Sequence, residues 1–294
     1  MSVSIFRGIG EVFDEWLGLK GQDKYGTRLG VPKYKSLQAA IDLSEKGRSL
    51  TDQPTLDVKQ TIQRAMEALG TNIPAADWAP AQSNWKWEKS PRIASHNPSQ
   101  EKTLEKLTTF LLNDSWVNQV PVCNGLVANG RANACRIDLA HRVADREYEL
   151  IELKFGTEGT SGSDHPLFAA LEVVHYGLMY LLFRQRQFQL QRDHHMLDAN
   201  KIKLIVLAPA AWYRFKERGN PILKPFDFGW LATQLSTGLQ DYSVQHKMDL
   251  ELHMEFQTLS SSFHSNYLTL LGGIQAFRDD AFNSRQTVFR AINL

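Results

Sequence analysis

Apolar residues recur at helical spacing in T-L-D-V-K-Q-T-I-Q-R-A-M-E-A-L-G. There Val58, Ile62, Met66 and Leu69 share one face and Gly70 offers a stop. The pattern becomes regular from residue 97. N-P-S-Q predicts a helix start, with Asn97 at the N-cap, Pro98 at N1 and Gln100 at N3, and with Leu104, Leu107, Phe110 and Leu111 as the apolar face. Three strand-like segments follow, within W-V-N-Q-V-P-V-C-N-G-L-V, C-R-I-D-L-A-H-R-V and E-Y-E-L-I-E-L-K-F, and A-D-R-E suits a hairpin turn between the last two. A Gly/Ser-rich loop then leads into Leu167 to Phe183, an apolar helix interrupted by Glu172 and His175. K-L-I-V-L-A-P is a further strand. The order helix, three strands, helix, strand predicts an α/β fold around a central mixed sheet flanked by helices. Residues 91–215 form the expected core. Residues 1–90 read as an accessory region and residues 216–294 as a C-terminal extension packed on the core.

Composition narrows the class only a little. The 294 residues are 43% hydrophobic and 22% charged, as in ordinary globular chains. A formal net charge of +1 provides no global field for nucleic acid, so such binding needs a local patch. Cys123 and Cys135 lack the spacing of a zinc site and read as reduced, packed thiols. The start of the chain lacks the apolar stretch of a signal peptide, and the Leu167 to Phe183 segment is short for a membrane span. The expectation is a cytoplasmic protein without membrane contact.

Two opposite charges, Glu152 and Lys154, stand inside the third strand. Side chains alternate along a strand, so the two share a face, where an isolated buried charge costs several kcal/mol. A hairpin brings Asp138 of the preceding strand close to Glu152. Two near carboxylates repel unless one takes a proton or a divalent cation joins them, and hard oxygen ligands favour Mg²⁺ or Mn²⁺.

Asp138, a spacer of 13 residues and then Glu152-Leu153-Lys154 resembles the catalytic signature of the PD-(D/E)XK nuclease superfamily, with its restriction-endonuclease-like core. Ile137 stands where the name-giving proline would be. The resemblance covers about residues 97–215 and implies metal-dependent hydrolysis of phosphodiesters, in DNA rather than RNA, leaving 5′-phosphate and 3′-hydroxyl ends. It implies that Asp138, Glu152 and the Leu153 carbonyl hold Mg²⁺ or Mn²⁺, and that Lys154 orients water or offsets transition-state charge. It also implies an acidic residue from the first helix. Glu101 and Glu105 are both candidates, and Glu101 is preferred because the helix dipole favours a carboxylate in the first turn. Glu172, His175 and Glu105 are expected around the site, with His175 read as a core histidine ahead of a ligand.

A second acidic-x-Lys match, Asp57-Val58-Lys59, falls on the helical pattern with both charges outward. Arg184, Arg186, Lys201 and Lys203 belong to a basic cluster that can contact phosphates or simply be solvated. Trp85, Lys86, Trp87 and Lys89 form an arm expected to pack on the core, with base stacking as the other option. The rivals to an active nuclease are a nucleic-acid-binding or scaffold subunit that keeps the fold without turnover, and an unrelated α/β enzyme in which Glu152 and Lys154 form a salt bridge. Whether the chain acts as a homodimer or with a partner subunit stays open.

Overall fold

The computed structural model describes residues 5–22, 25, 31–47, 56–73, 80–89, 100–111, 114–126, 135–155, 165–186, 195–216, 222–259 and 286–287. In chain order these form α1 (Ile9–Trp16), α2 (Leu37–Lys46), α3 (Val58–Asn72), α4 (Gln100–Leu111), β1 (Trp116–Pro121), β2 (Arg136–Ala144), β3 (Glu147–Leu153), α5 (Pro166–Arg186), β4 (Lys201–Ala208), β5 (Arg214–Lys216), β6 (Leu223–Pro225), α6 (Gly229–Gln245), β7 (Glu251–Thr258) and β8 (Gln286–Thr287). The result is an α/β fold around a mixed sheet of order β1-β2-β3-β4-β7-β8, with β5 and β6 as a separate small ribbon. β1, β2 and β3 run antiparallel, β3-β4 and β4-β7 run parallel, and β8 closes antiparallel on the end of β7.

The sheet's interior explains its sequence. β4 carries the near-continuous apolar run L-I-V-L-A because parallel central strands are covered on both faces. One face presents Leu150 and Leu204 to α5, and β7 continues the sheet under α6. A methyl added at Gly177 of α5 would meet the Leu204 side chain at 2.7 Å, so that glycine is what lets helix and strand approach. The other face presents Leu139, Ile151 and Ile205, all fully buried. α4 lies over β1 on that side, with Leu104 buried. The side chains of Leu107, Phe110 and Leu111, and all of Asn97 and Pro98, fall outside the described residues.

Both ends of the chain join the same core. α1 packs on α3, and α3 on α5 and α6. Residues 216–294, read from sequence as an extension on the core, supply β7 to the central sheet itself. α3 also runs two residues past Gly70, which the sequence suggested as its stop. Asn72 holds that last turn by donating to the carbonyls of Ile5 and Arg7, at 2.9 and 2.7 Å. Asp57 caps α3 by accepting from the Gln60 N–H, and Lys59 pairs with Asp241 at 2.9 Å, so this acidic-x-Lys match is a helix-start feature.

Side chains and loops guard the sheet's edges. The backbone N–H of Trp85 donates to the Pro121 carbonyl at 2.8 Å and its ring is buried against Tyr180 and Phe183, which makes the aromatic arm a cover for β1. On β7, Gln240 Oε1 and Ser236 Oγ accept the N–H groups of Leu252 and Met254. Among the described residues one helix, α5, is long and apolar enough to cross a membrane, and 83% of its most apolar window is buried inside the fold.

The close approach of α6 to α3 gives a stability prediction. A methyl at Gly238 of α6 would lie 2.8 Å from Val58 Cγ2, 2.9 Å from Ile62 Cγ1 and 3.0 Å from the Val58 carbonyl oxygen. Gly238→Ala should therefore cost about 1–3 kcal/mol from overpacking, despite a helix-propensity gain of about 1 kcal/mol. Urea unfolding measures it. A variant at least as stable as wild type would show that α3 moves aside freely.

Candidate functional site

Register brings the predicted pair together. The β2–β3 ladder pairs Leu139 with Ile151, and one step further along that register Asp138 stands opposite Glu152. There the Leu153 N–H donates to Asp138 Oδ2 at 3.0 Å, so the carboxylate sits at the point where the two strands cease to pair. β3 stays bound to β4 through this point, with Glu152 beside Val206 and the Lys154 N–H donating to the Leu207 carbonyl at 2.9 Å. β3 is thus held firmly on one side and opened on the other.

Lys154 ties the acids together. Its Nζ donates to Glu152 Oε1 at 2.8 Å and to Glu172 Oε2 at 3.0 Å. The Tyr176 hydroxyl lies 2.5 Å from Glu152 Oε2 and 2.8 Å from the Arg136 carbonyl, where its single proton serves one or is shared. Glu172 and Tyr176 are four residues apart on α5 and so face the site together. Glu152 is buried, whereas Glu172 forms the more open rim, with its side chain 31% exposed.

α4 contributes two carboxylates with different roles. Glu101 Oε1 accepts the Phe155 N–H at 3.1 Å, which fixes the chain as it leaves β3. Glu105 is buried and accepts from Asn118 Nδ2 and Gln119 Nε2, both at 2.8 Å. Neighbouring strand residues normally face opposite ways. Gln119 converges with Asn118 through a left-handed backbone, φ 53°.

The group is short of positive charge. Asp138, Glu152 and Glu172 surround one ammonium, so full ionisation would leave two negative charges uncompensated. Burial, and then the charges of Glu152 and Glu105, push the Asp138 pKa well above the usual carboxylate range. Burial and Glu152 push Glu172 up to about 7, against the pull of Lys154 and Lys35. Burial opposes the charge on Lys154, but Glu152 and Glu172 outweigh it and hold the ammonium above the ordinary lysine range. Protons can meet the shortage, and so can a divalent cation, for which the oxygen-only donor set is chemically suited. Among the described residues, no group of three or more His, Cys, Asp or Glu side chains is arranged to hold a metal ion.

Other sequence-predicted residues lie elsewhere. His175 turns away and stacks on Phe6 at 4.4 Å, and burial lowers its pKa to about 4. Arg184 donates to the carbonyls of Leu197 and Ala199 at 2.9 and 2.6 Å, and Arg186 reaches the Gly70 carbonyl at 3.4 Å. Lys201 and Lys203 pair with Glu251 and Glu255 at 3.3 and 3.6 Å, near the start of β4, whereas Val206 marks the site's level. Such a strand rises about 3.3 Å per residue, so Lys203 sits about 10 Å from that level. Tyr176 was missed from sequence, although an acid and a tyrosine at i and i+4 on an otherwise apolar helix were available as a signal. The accessory region adds Lys35, whose Nζ lies 4.6 Å above the Phe168 ring.

No family model matches the chain, and comparison with curated proteins and with solved structures gives no significant match.

Glu105 sets a pH dependence. Burial pushes it up to about 7, against the two amide donors. Its folded pKa exceeds the unfolded value of 4.5, so its contribution to stability is complete below that value and is lost as pH rises through about 7. The loss is on the order of 3 kcal/mol. Glu105→Gln should flatten the fall in unfolding free energy between pH 5 and pH 8. An unchanged slope would mean that Glu105 titrates normally.

Proposed function

We propose that the chain is a metal-dependent nuclease with a restriction-endonuclease-like core, acting on phosphodiesters of DNA. One observation carries this reading: Asp138 faces Glu152 where β2 leaves β3, and Lys154 follows on the same side. The order α4, three antiparallel strands, α5 and parallel β4 supports it.

Asp138, Glu152 and the Leu153 carbonyl would hold Mg²⁺ or Mn²⁺, with Glu101 close by at the end of β3. The bound ion would supply Lewis-acid charge stabilisation and a more acidic water. Lys154, already steered by Glu152 and Glu172, would orient the attacking water or offset charge on the phosphoryl oxygens. Tyr176 would keep Glu152 in position. A binding or scaffold subunit without turnover is the second reading. It is favoured by the lack of a three-ligand cluster among the described residues.

Asp138→Asn keeps an acceptor for the Leu153 N–H and removes the repulsion with Glu152. It should abolish cleavage of plasmid or oligonucleotide DNA while leaving the metal-free melting temperature unchanged or higher. Mg²⁺ or Mn²⁺ should raise the melting temperature of wild type only. A wild-type protein that binds DNA but never cleaves it with either ion would establish the scaffold reading.

Lys154→Ala should lower the cleavage rate at least about a hundredfold, with DNA affinity changed less than about threefold. Stopped-assay rates and equilibrium binding at matched salt separate the two quantities. Equal losses in both would make Lys154 a phosphate anchor.

A further inference from the structure

Arg184, Lys201 and Lys203 are engaged by carbonyls or glutamates away from Glu152. The N-terminal region brings a different cation to the site. Lys35 ends a single 3₁₀ turn, Lys33–Lys35, and is half-buried. Its Nζ lies 4.6 Å above the ring of Phe168 on α5. Glu172 is four residues further along α5, so ring and carboxylate share one face, with their Cβ atoms about 5–6 Å apart. Glu172 in turn receives Lys154 at 3.0 Å, which sets Lys35 beside the open rim of the acidic group. The pull of Lys35 on the Glu172 charge agrees with that placement.

The turn is held rigidly. The buried Asp14 of α1 accepts the Lys33 N–H at 2.7 Å and the Tyr34 N–H at 2.9 Å, and the Lys35 N–H donates to the Pro32 carbonyl at 3.2 Å. Tyr34 is buried, with its ring against Phe13 and Phe168. A methyl added at Gly10 would meet Pro32 Cγ at 2.3 Å, so α1 lies directly on the turn. The two lysines of the turn then differ. Lys33 Nζ donates to the Gln22 carbonyl at 2.9 Å. The Lys35 ammonium has an aromatic face beneath it and, among the described residues, no carboxylate at ion-pair distance. An aromatic face attracts a cation without neutralising it. The charge stays available to an anion, and a fixed backbone lowers the ordering cost of binding one.

We propose that Lys35 is a phosphate-binding residue of the candidate site, taking a backbone phosphodiester that flanks the one under attack. The inference rests on the nuclease reading and gives residues 1–90 a role at that site. A polyanion approaching three carboxylates meets repulsion, which a metal relieves only at the scissile phosphate. Lys35 offsets it about one helical turn away. Contact with a phosphate oxygen releases a counterion and sets register without reading sequence.

The test is equilibrium binding of the full chain to a labelled DNA duplex of about 20 base pairs, without divalent metal so that no turnover intervenes, across about 50 to 200 mM salt. Lys35→Met keeps a stem over Phe168 and removes the charge. It should weaken binding roughly fivefold to tenfold at about 100 mM salt and reduce the slope of log Kd against log salt by about 1. Lys35→Arg should restore both, and Lys201→Met should change neither. With Mg²⁺, the loss in Lys35→Met should fall mainly on KM rather than on kcat. An unchanged slope in Lys35→Met, whatever its affinity, marks a packing role; it would overturn the inference and leave the nuclease reading standing. An equal loss of slope in Lys201→Met would do the same, since the effect would then belong to net charge. A wild-type chain without salt-dependent DNA binding would overturn the nuclease reading and this inference with it.

Discussion

Three carboxylates around one ammonium are the constraint from which the rest of this region follows. Glu152 and Glu172 share the Lys154 ammonium, Asp138 adds a third carboxylate opposite Glu152, and the Tyr176 hydroxyl meets Glu152 from α5. Such a group is costly to bury unless every oxygen is engaged. The fold meets part of that demand with backbone, giving Asp138 the Leu153 N–H. It leaves the remainder to titration, which is why Asp138 and Glu172 are pushed upward rather than down. A structural ion pair of equal size would be built with matched charges. The mismatch here favours the entry of cations, whether protons or a metal.

The packing that creates this opening is ordinary. β4 grips β3 along its whole length, and α5 covers the face on which Glu152 lies. The antiparallel partner β2 alone is free to diverge. Gly177 brings α5 near enough to β4 for Glu172 and Tyr176 to reach the strand. A bulkier residue there would lift the helix, lengthening the bonds from Lys154 and Tyr176 together. Rigid elements, rather than loops, therefore set the distances inside the group.

Much of this was legible in the sequence. Glu152 and Lys154 interrupt an apolar strand, the turn at residues 144–147 fixes the hairpin, and the residue spacing sets Asp138 across from Glu152. The buried character of α5 was equally plain from its apolar run. What could not be read was long-range. Tyr176 becomes part of the group only because α5 lies over β3, and β7 joins the sheet only because β4 has an open side. The basic residues illustrate the opposite failure. Arg184, Lys201 and Lys203 cluster in sequence, but each is spent on a carbonyl or a carboxylate, near the far end of the sheet from Glu152. Linear charge density carries no information about which partners the fold supplies.

The same distinction separates Glu101 from Glu105, which are one turn apart and equivalent by spacing. Glu105 is buried, and the chain accepts an unusual backbone at Gln119 so that two successive amides can reach it. Left-handed geometry in a residue other than glycine costs roughly 1 kcal/mol, a cost sustained only when surrounding contacts repay it. Both oxygens of Glu105 are thereby committed to joining α4 to β1. Glu101 is less buried, and its Oε1 contact is to a backbone N–H just beyond Lys154. That contact ties the helix to the exit of β3, the one part of the strand that β2 does not support. Glu105 thus fixes where α4 lies, and Glu101 fixes where Lys154 can reach.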